Sequence, residues 1–187
     1  HNEIIPAKLY GGIERVAWSL GKELSLMGHE ITYLVKKGSY CDFARGQILD
    51  EEKDIIAQLP EDIDLAHFYT RPEHIDLIKL PYVINTQTNA NDKRSFDRNT
   101  IFLSKNHSLR YGSDCYIHNG ISWDDYTPPV LGESLNYFHF LAKAAWKVKN
   151  VQGAINVIHR TKREKLEVLG GVRFKIKMGM RFTFSPR

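Results

Sequence analysis

Two glycines lie directly before an amphipathic helix near the start of the chain. Gly11 and Gly12 precede apolar residues that recur at three- and four-residue steps from Ile13 to Met27, and Gly28 follows as a helix stop. Glycines at a helix start let a ligand approach the backbone, and the free N–H groups and the helix dipole attract an anion. A tight turn is the alternative, since the full G-x-G-x-x-G pattern is absent. On its own the glycine pair is weak evidence for an anion site, and it indicates one only if other residues support it.

Lysines after an apolar run at 137–142 form a second group of candidate anion-binding residues. Lys143 and Lys149 would lie at the end of a strand and the start of a helix, where two cations can neutralise a diphosphate. A solvated basic turn that also contains Lys147 is the alternative. The histidines show no ligand spacing, so no metal site is expected.

The charge of the chain is unevenly divided. Residues 1–129 contain 14 Lys and Arg against 19 Asp and Glu, whereas residues 130–187 contain 12 against 3. The resulting net charges of −5 and +9 suggest that the second part meets phosphate, nucleic acid or an acidic membrane surface. The alternative is that balancing acidic residues lie in sequence outside this chain.

Alternating strands and helices must position these residues. Sequence patterns predict strands at 31–35, 63–68, 82–85, 100–104, 115–118, 137–142 and 166–169, and helices at 13–27, 50–58, 71–79, 105–111 and 148–160. This alternation predicts an α/β fold with a mainly parallel sheet. The run Asp-Asp-Tyr-Thr-Pro-Pro at 124–129 is typical of a linker. We expect one domain at 1–129, with its first strand upstream of residue 1, and an incomplete second unit at 130–187.

Four motifs follow one another along the first part of the chain. They are Pro6-Ala7-Lys8-Leu9-Tyr10-Gly11-Gly12-Ile13-Glu14-Arg15 with Gly28-His29-Glu30-Ile31-Thr32, Asp64-Leu65-Ala66-His67, Phe102-Leu103-Ser104-Lys105, and Ile117-His118-Asn119-Gly120-Ile121 followed by Asp125-Tyr126 and Pro128. In this order and spacing they resemble glycosyltransferase family 4, strongly up to residue 130 and loosely beyond it. Four ordered motifs are much more specific than any single one.

The resemblance implies a GT-B fold, in which two Rossmann-like domains face a cleft. It also implies retaining transfer of a sugar from a nucleotide donor to a hydroxyl acceptor, without a metal or other cofactor. Gly11 and Gly12 would lie by the donor phosphates, and His67 would be the catalytic-site residue that hydrogen-bonds the transferred sugar. The remaining candidates, on the acceptor side or in the cleft, are Glu14, Ser104, Lys105, Asn119 and Gly120.

The second part of the chain departs from the family pattern. Ala142-Lys143 stands where the family has Gly-Arg, and Lys149 follows six residues later, as the family's lysine does. Lysine lacks the planar fork with which arginine holds a diphosphate. The family's two acidic residues spaced eight apart have no counterpart, since no Asp or Glu follows Glu167. We expect the full-length protein to be a transferase and this chain alone to be inactive.

Composition and cysteine content bear on where the protein is expected to act. The longest apolar runs are far shorter than the roughly 20 residues of a membrane span, and Cys41 and Cys115 match no disulfide pattern. We expect a cytoplasmic protein, with peripheral contact to the inner face of the membrane as an option. Its partners would be a nucleotide sugar and a glycan, lipid-linked or small-molecule acceptor in polysaccharide or glycolipid synthesis.

Two other functions fit parts of the sequence. One is a non-catalytic glycan- or membrane-binding α/β module with a basic C-terminal segment. The other is nucleic-acid binding, because basic and aromatic residues alternate at 172–184. A strand whose basic residues face water explains that alternation more simply, so no nucleic-acid partner is expected.

Overall fold

The computed structural model describes residues 4–7, 11–89, 96–132, 134–161 and 163–170, and the backbone of 182–184. The chain divides into two compact units, His1–Thr127 and Pro128–Arg187. The first unit combines helices with two small parallel sheets, and the second unit combines a helix with one small mixed sheet. The mixed α/β class predicted from the sequence is therefore confirmed.

The first unit opens with helix α1, Gly12–Leu26, within one residue of the predicted bounds. Gly28 ends it as expected, with φ of 95° and its N–H donating to the Ser25 carbonyl. The His29 N–H reaches back to the Leu24 carbonyl, which completes a Schellman cap. Strand β1, Thr32–Val35, follows directly.

One tyrosine of strand β1 hydrogen-bonds to helix α1. The Tyr33 hydroxyl donates to the Ala17 carbonyl at 2.9 Å. A Cβ at Gly21 would lie 1.9 Å from that hydroxyl oxygen, so only glycine allows this close approach. Burial raises the pKa of Tyr33 because its phenolate would lose hydration.

Strand β2, Arg45–Ile48, pairs in parallel with β1 and was not predicted. Its sequence is Arg-Gly-Gln-Ile and it is mostly exposed, so no apolar alternation marks it as a strand. Arg45 fixes its end through a bidentate pair with Asp62, at 3.0 and 2.9 Å. Polar contacts rather than a buried face define this strand.

The second sheet of this unit contains β3, Ala66–Phe68, β4, Tyr82–Asn85, and β5, Thr100–Ile101, in that order. All three strands are parallel. The bounds of β4 match the prediction, whereas β3 and β5 are shorter than predicted. Beneath the sheet lies a core of Ala66, Phe68, Ile75 and Ile84, against which Ile55, Ile56, Leu59, Ile63, Ile78, Leu80 and Tyr82 pack.

The helix predicted at 50–58 is wrong. The segment forms turns and ends in a short 3₁₀ helix, Ile56–Gln58. The Gln58 amide folds back on it, accepting from the Asp50 N–H at 2.8 Å and donating to the Asp50, Lys53 and Asp54 carbonyls. Because this one side chain satisfies the backbone groups, the segment needs no helical ladder.

Two further predictions need correction. The helix predicted at 71–79 is only the 3₁₀ helix Ile75–Leu77, after which Ile78 turns extended towards β4. The strand predicted at 115–118 is reduced to a single parallel bridge between Phe102 and Tyr116. It stops there because Ser104 already begins helix α2, Lys105–Arg110, and takes β5 out of the sheet.

The second unit contains β6, Phe138–Leu141, helix α3, Val151–Thr161, and β7, Leu166–Leu169. Strands β6 and β7 are parallel, and β8, Phe182–Phe184, adds an antiparallel edge to β7. Helix α3 begins three residues later than predicted, because the Asn150 side chain caps it by accepting from the Gly153 N–H at 3.1 Å. The buried residues of this unit's core are Ile158, Leu166 and Val168.

The basic and aromatic alternation noted at 172–184 lies almost wholly outside the described residues. Within it only the backbone of β8 is described. That segment joins the sheet beside β7.

Candidate functional site

The carboxyl ends of β3, β4 and β5 meet at one edge, because the three strands are parallel. Ligands of open α/β sheets bind at this edge. Phe102, which is 1 % exposed, follows β5 and stacks on Tyr111, with ring centroids 5.5 Å apart. This contact holds α2 against the sheet, so the loop that contains Ser104 has a fixed place at the edge.

The Asn-Gly motif reaches the same edge through a pair of side-chain amides. The Asn119 amide donates to the Gln87 side-chain oxygen at 2.9 Å, and the Gln87 amide donates to the Asn119 side-chain oxygen at 3.2 Å. The Gln87 amide also contacts the Asn85 side chain at the end of β4. Gly120 follows in an exposed position, with nothing within 4 Å of an added Cβ. The motif is thus tied to the end of β4.

A polar pocket of about 200 Å³ opens beside this pair. It is lined by Gln87, Asn89, Leu103, Ser104, Asn106, His107 and Arg110. The Ser104 side chain accepts from the His107 N–H at 3.1 Å and caps α2. Lys105 is the exposed first residue of that helix. Of the predicted residues, Ser104 lines the pocket, Lys105 follows it in sequence, and Asn119 is hydrogen-bonded to the lining residue Gln87.

His67 lies on β3, opposite Val83 of β4. It alternates with the buried Ala66 and Phe68, so its side chain lies on the sheet face opposite that core and is exposed. Its ring stacks on Tyr69 with centroids 4.8 Å apart and planes 16° apart.

The surroundings of His67 determine its protonation state. Loss of hydration among the surrounding protein atoms lowers the pKa of His67, so the ring is neutral at pH 7. The same effect raises the pKa of Tyr69 to about 12. A neutral imidazole stacked on a neutral phenol can donate and accept hydrogen bonds, and it presents an aromatic surface.

The start of α1 contains Gly11, Gly12 and Glu14. A Cβ at Gly11 would lie 2.6 Å from the Cβ of Ala7 and 3.0 Å from a Glu14 carboxylate oxygen, so packing alone explains this glycine. At Gly12, the first helical residue, no atom of the residues that the structure describes lies within 4 Å of an added Cβ. Glu14 is only 7 % exposed and places a carboxylate in the first turn, where the helix dipole favours it. Because that carboxylate would repel a phosphate beside Gly11, the open approach is at Gly12.

The second unit carries Lys143 and Lys149 in the loop that leads from β6 to α3. Both side chains are exposed. The Lys143 ammonium lies 4.7 Å from the centre of the Trp146 ring, in a cation–π contact. Lys149 ends a 3₁₀ helix directly before the cap of α3. The lysines thus lie beyond the carboxyl end of β6, as predicted.

Sequence reasoning missed five of the polar residues at the pocket, namely Gln87, Asn89, Asn106, His107 and Arg110. A positional signal existed for the first two, because Thr86-Gln87-Thr88-Asn89 is a polar run directly after a strand. His107 and Arg110 lie three residues apart on α2, a spacing that is ordinary on any helix. Only the packing of α2 on Phe102 brings them to the edge.

Over the described ranges, no group of three or more His, Cys, Asp and Glu is arranged to hold a metal ion. No helix among the described residues has the length and apolar character needed to cross a membrane. Comparisons with protein-family models, with curated proteins and with solved structures gave no match to this chain.

Proposed function

We propose that this chain is the acceptor-side part, with the beginning of the donor-side part, of a sugar transferase of GT-B fold. The full-length protein would transfer a sugar from a nucleotide donor to a hydroxyl acceptor with retention, in polysaccharide or glycolipid synthesis. The observation that carries the proposal is that Ser104 lines the same pocket as Gln87, the residue to which the Asn119 side chain is hydrogen-bonded. Ser104 and Asn119 belong to two of the four motifs that resemble glycosyltransferase family 4.

The side chains at this edge suit sugars and their acceptors. Carboxamides and hydroxyls donate and accept at once, as sugar hydroxyls do. Gln87 and Asn119 hold each other in fixed orientations, so their remaining hydrogen-bonding positions are preorganised. The neutral ring of His67 can hydrogen-bond a sugar hydroxyl without acting as a general base.

The cations Lys143 and Lys149 of the second unit would hold the donor diphosphate. Two ammonium groups can neutralise the leaving diphosphate, so this arrangement needs no metal. The Trp146 ring under Lys143 orients one of them. A cytoplasmic protein with peripheral contact to the inner membrane face fits this proposal, because nucleotide sugars are soluble substrates.

The test is product analysis with the full-length protein, a panel of nucleotide sugars and candidate acceptors. Nuclear magnetic resonance of the product should show the anomeric configuration of the donor. Ser104→Ala and Asn119→Ala should reduce transfer about tenfold or more, as expected when a hydrogen bond to a bound sugar is lost. Asn156→Ala is the matched control, since Asn156 bonds only Gln152 on the exposed face of α3 in the described part of the chain.

If Ser104→Ala and Asn119→Ala transferred sugar as fast as the Asn156→Ala control, this would contradict the assignment of the edge to sugar and acceptor binding. A full-length protein that binds glycans and transfers no sugar from any donor would instead favour the non-catalytic binding module.

A further inference from the structure

One aromatic contact holds the His67 ring at the carboxyl end of β3. Tyr69 directly follows this strand and is two residues from His67, so the two side chains lie on the same face, opposite the buried Ala66 and Phe68. Their rings stack with centroids 4.8 Å apart and planes 16° apart. Near-parallel stacking of this kind restricts how the imidazole can turn about its side-chain bonds.

The orientation of His67 depends on this stack. The ring is exposed, and within the described part of the chain no hydrogen bond or ion pair reaches it. An exposed side chain that lacks such contacts exchanges between several rotamers. The Tyr69 ring therefore sets the plane of the imidazole, while both imidazole nitrogens stay open to a ligand.

Tyr69 has a fixed place of its own. It is half-buried, and burial raises its pKa to about 12. Burial is also the main reason that the pKa of Tyr33 is raised, and the charges of Cys41 and Tyr69 add to that effect, so Tyr69 lies near Tyr33. Tyr33 in turn donates to the Ala17 carbonyl of α1 at 2.9 Å. Two tyrosines thus connect His67 to helix α1.

We propose that Tyr69 is a positioning residue, which holds the His67 imidazole in the orientation that hydrogen-bonds the transferred sugar. This role rests on the proposed transferase function. A group that is oriented in advance loses little freedom when it binds, and a small misplacement of such a group reduces the rate strongly. The contact is made by the Tyr69 ring, so phenylalanine can replace tyrosine there and leucine cannot.

The first experiment measures the ring contact by proton nuclear magnetic resonance of the full chain. Protons above the face of an aromatic ring resonate upfield. The His67 ring protons should therefore be displaced upfield in the wild type and in Tyr69→Phe, and they should return to the position of a free histidine in Tyr69→Leu.

Tyr116→Leu is the matched control. Tyr116 lies two residues before His118 and contacts its ring edge-on, with centroids 5.7 Å apart and planes at 74°. The substitution removes the same kind of ring from a second pair of tyrosine and histidine. It should change the His118 resonances and leave those of His67 in place.

The second experiment separates positioning from folding through the kinetics of the full-length protein. We expect Tyr69→Leu to lower kcat about tenfold or more, with a smaller change in the KM of the donor, because a misplaced group weakens the transition state more than the bound donor. Tyr69→Phe should restore most of the rate. A role in stability alone would lower the melting temperature of Tyr69→Leu and leave kcat unchanged well below that temperature.

Two results overturn the positioning role. One is a set of His67 resonances that is the same in Tyr69→Leu and in the wild type, and the other is an unchanged kcat in Tyr69→Leu. A wild-type full-length protein that transfers no sugar from any donor overturns the proposed function, and the positioning role with it. The failures are distinguishable, because the resonances do not depend on transfer and the comparison of kcat requires an active wild type.

Discussion

The side-chain amides of Gln87 and Asn119 hydrogen-bond each other in both directions, at 2.9 and 3.2 Å. One residue follows β4, and the other belongs to the Asn-Gly motif 32 residues later in the chain. Asn119 keeps a second N–H and a second acceptor position, whereas the second N–H of Gln87 is directed to the Asn85 side chain. The pair therefore fixes the motif at the carboxyl edge of the sheet and still offers hydrogen bonds to a ligand.

Asn119→Ala should lower the free energy of unfolding by about 0.5–1.5 kcal/mol, because two hydrogen bonds are lost at a partly hydrated site. Gln87→Ala should cost about the same. Because each change already removes the pair, the double variant should cost clearly less than the sum of the two. Urea unfolding of the four proteins measures this coupling, and additive losses would mean that the pair contributes nothing.

Gly21→Ala should destabilise the first unit by about 1–3 kcal/mol. The new methyl group would meet the Tyr33 hydroxyl and break its hydrogen bond to the Ala17 carbonyl. Gly12→Ala is the control on the same helix, because nothing lies within 4 Å of its added Cβ. It should leave the unfolding midpoint nearly unchanged while reducing binding of the nucleotide donor. A Gly21→Ala protein as stable as the wild type would contradict this packing.

The contact between His74 and Asp54 should make stability depend on pH. A hydrogen bond from His74 lowers the pKa of Asp54, and the same bond raises the pKa of His74 from its ordinary 6.5. Above the ordinary Asp value of 3.8 and below 6.5 both groups are charged, so the contribution is complete there. It is lost as the pH rises through the raised pKa of His74, and as the pH falls through the lowered pKa of Asp54.

Urea midpoints of the wild type and His74→Gln should therefore differ most at about pH 5 and converge above the raised His74 pKa. His29→Gln, which removes an exposed histidine after α1, is the control and should show no such convergence. A difference that stays constant from acid to alkaline pH would rule out the ion pair.

Local patterns predicted the elements whose apolar residues face a core. Helix α1 and strands β4 and β7 appear within one residue of their predicted bounds. In β7 burial alternates along the strand, with Leu166 and Val168 in the core, and Ile84 of β4 is likewise buried in a core. Strand β2 has no such face, and residues 50–58 are shaped by hydrogen bonds from the Gln58 side chain to backbone carbonyls four to eight residues earlier. No local pattern encodes either feature.

The candidate site likewise contains residues that sequence motifs predict and residues that only the folded structure brings there. Ser104 and Asn119 could be predicted because they belong to motifs that a sequence displays. His107 and Arg110 could not, because their positions at the edge depend on how α2 packs on Phe102 after β5. Motifs mark the edge of the sheet, and tertiary contacts decide which other side chains meet there.

The central claim is that the full-length protein binds a nucleotide sugar with the residues assigned to the donor. The most direct measurement is the melting temperature of the full-length protein across a panel of nucleotide sugars. A ligand at about 100 times its Kd should stabilise the native state by about 2.7 kcal/mol. We predict that one nucleotide sugar raises the melting temperature of the wild type, with a smaller rise for His67→Ala and none for Lys149→Ala. A folded full-length protein whose melting temperature no nucleotide sugar raises would contradict the account.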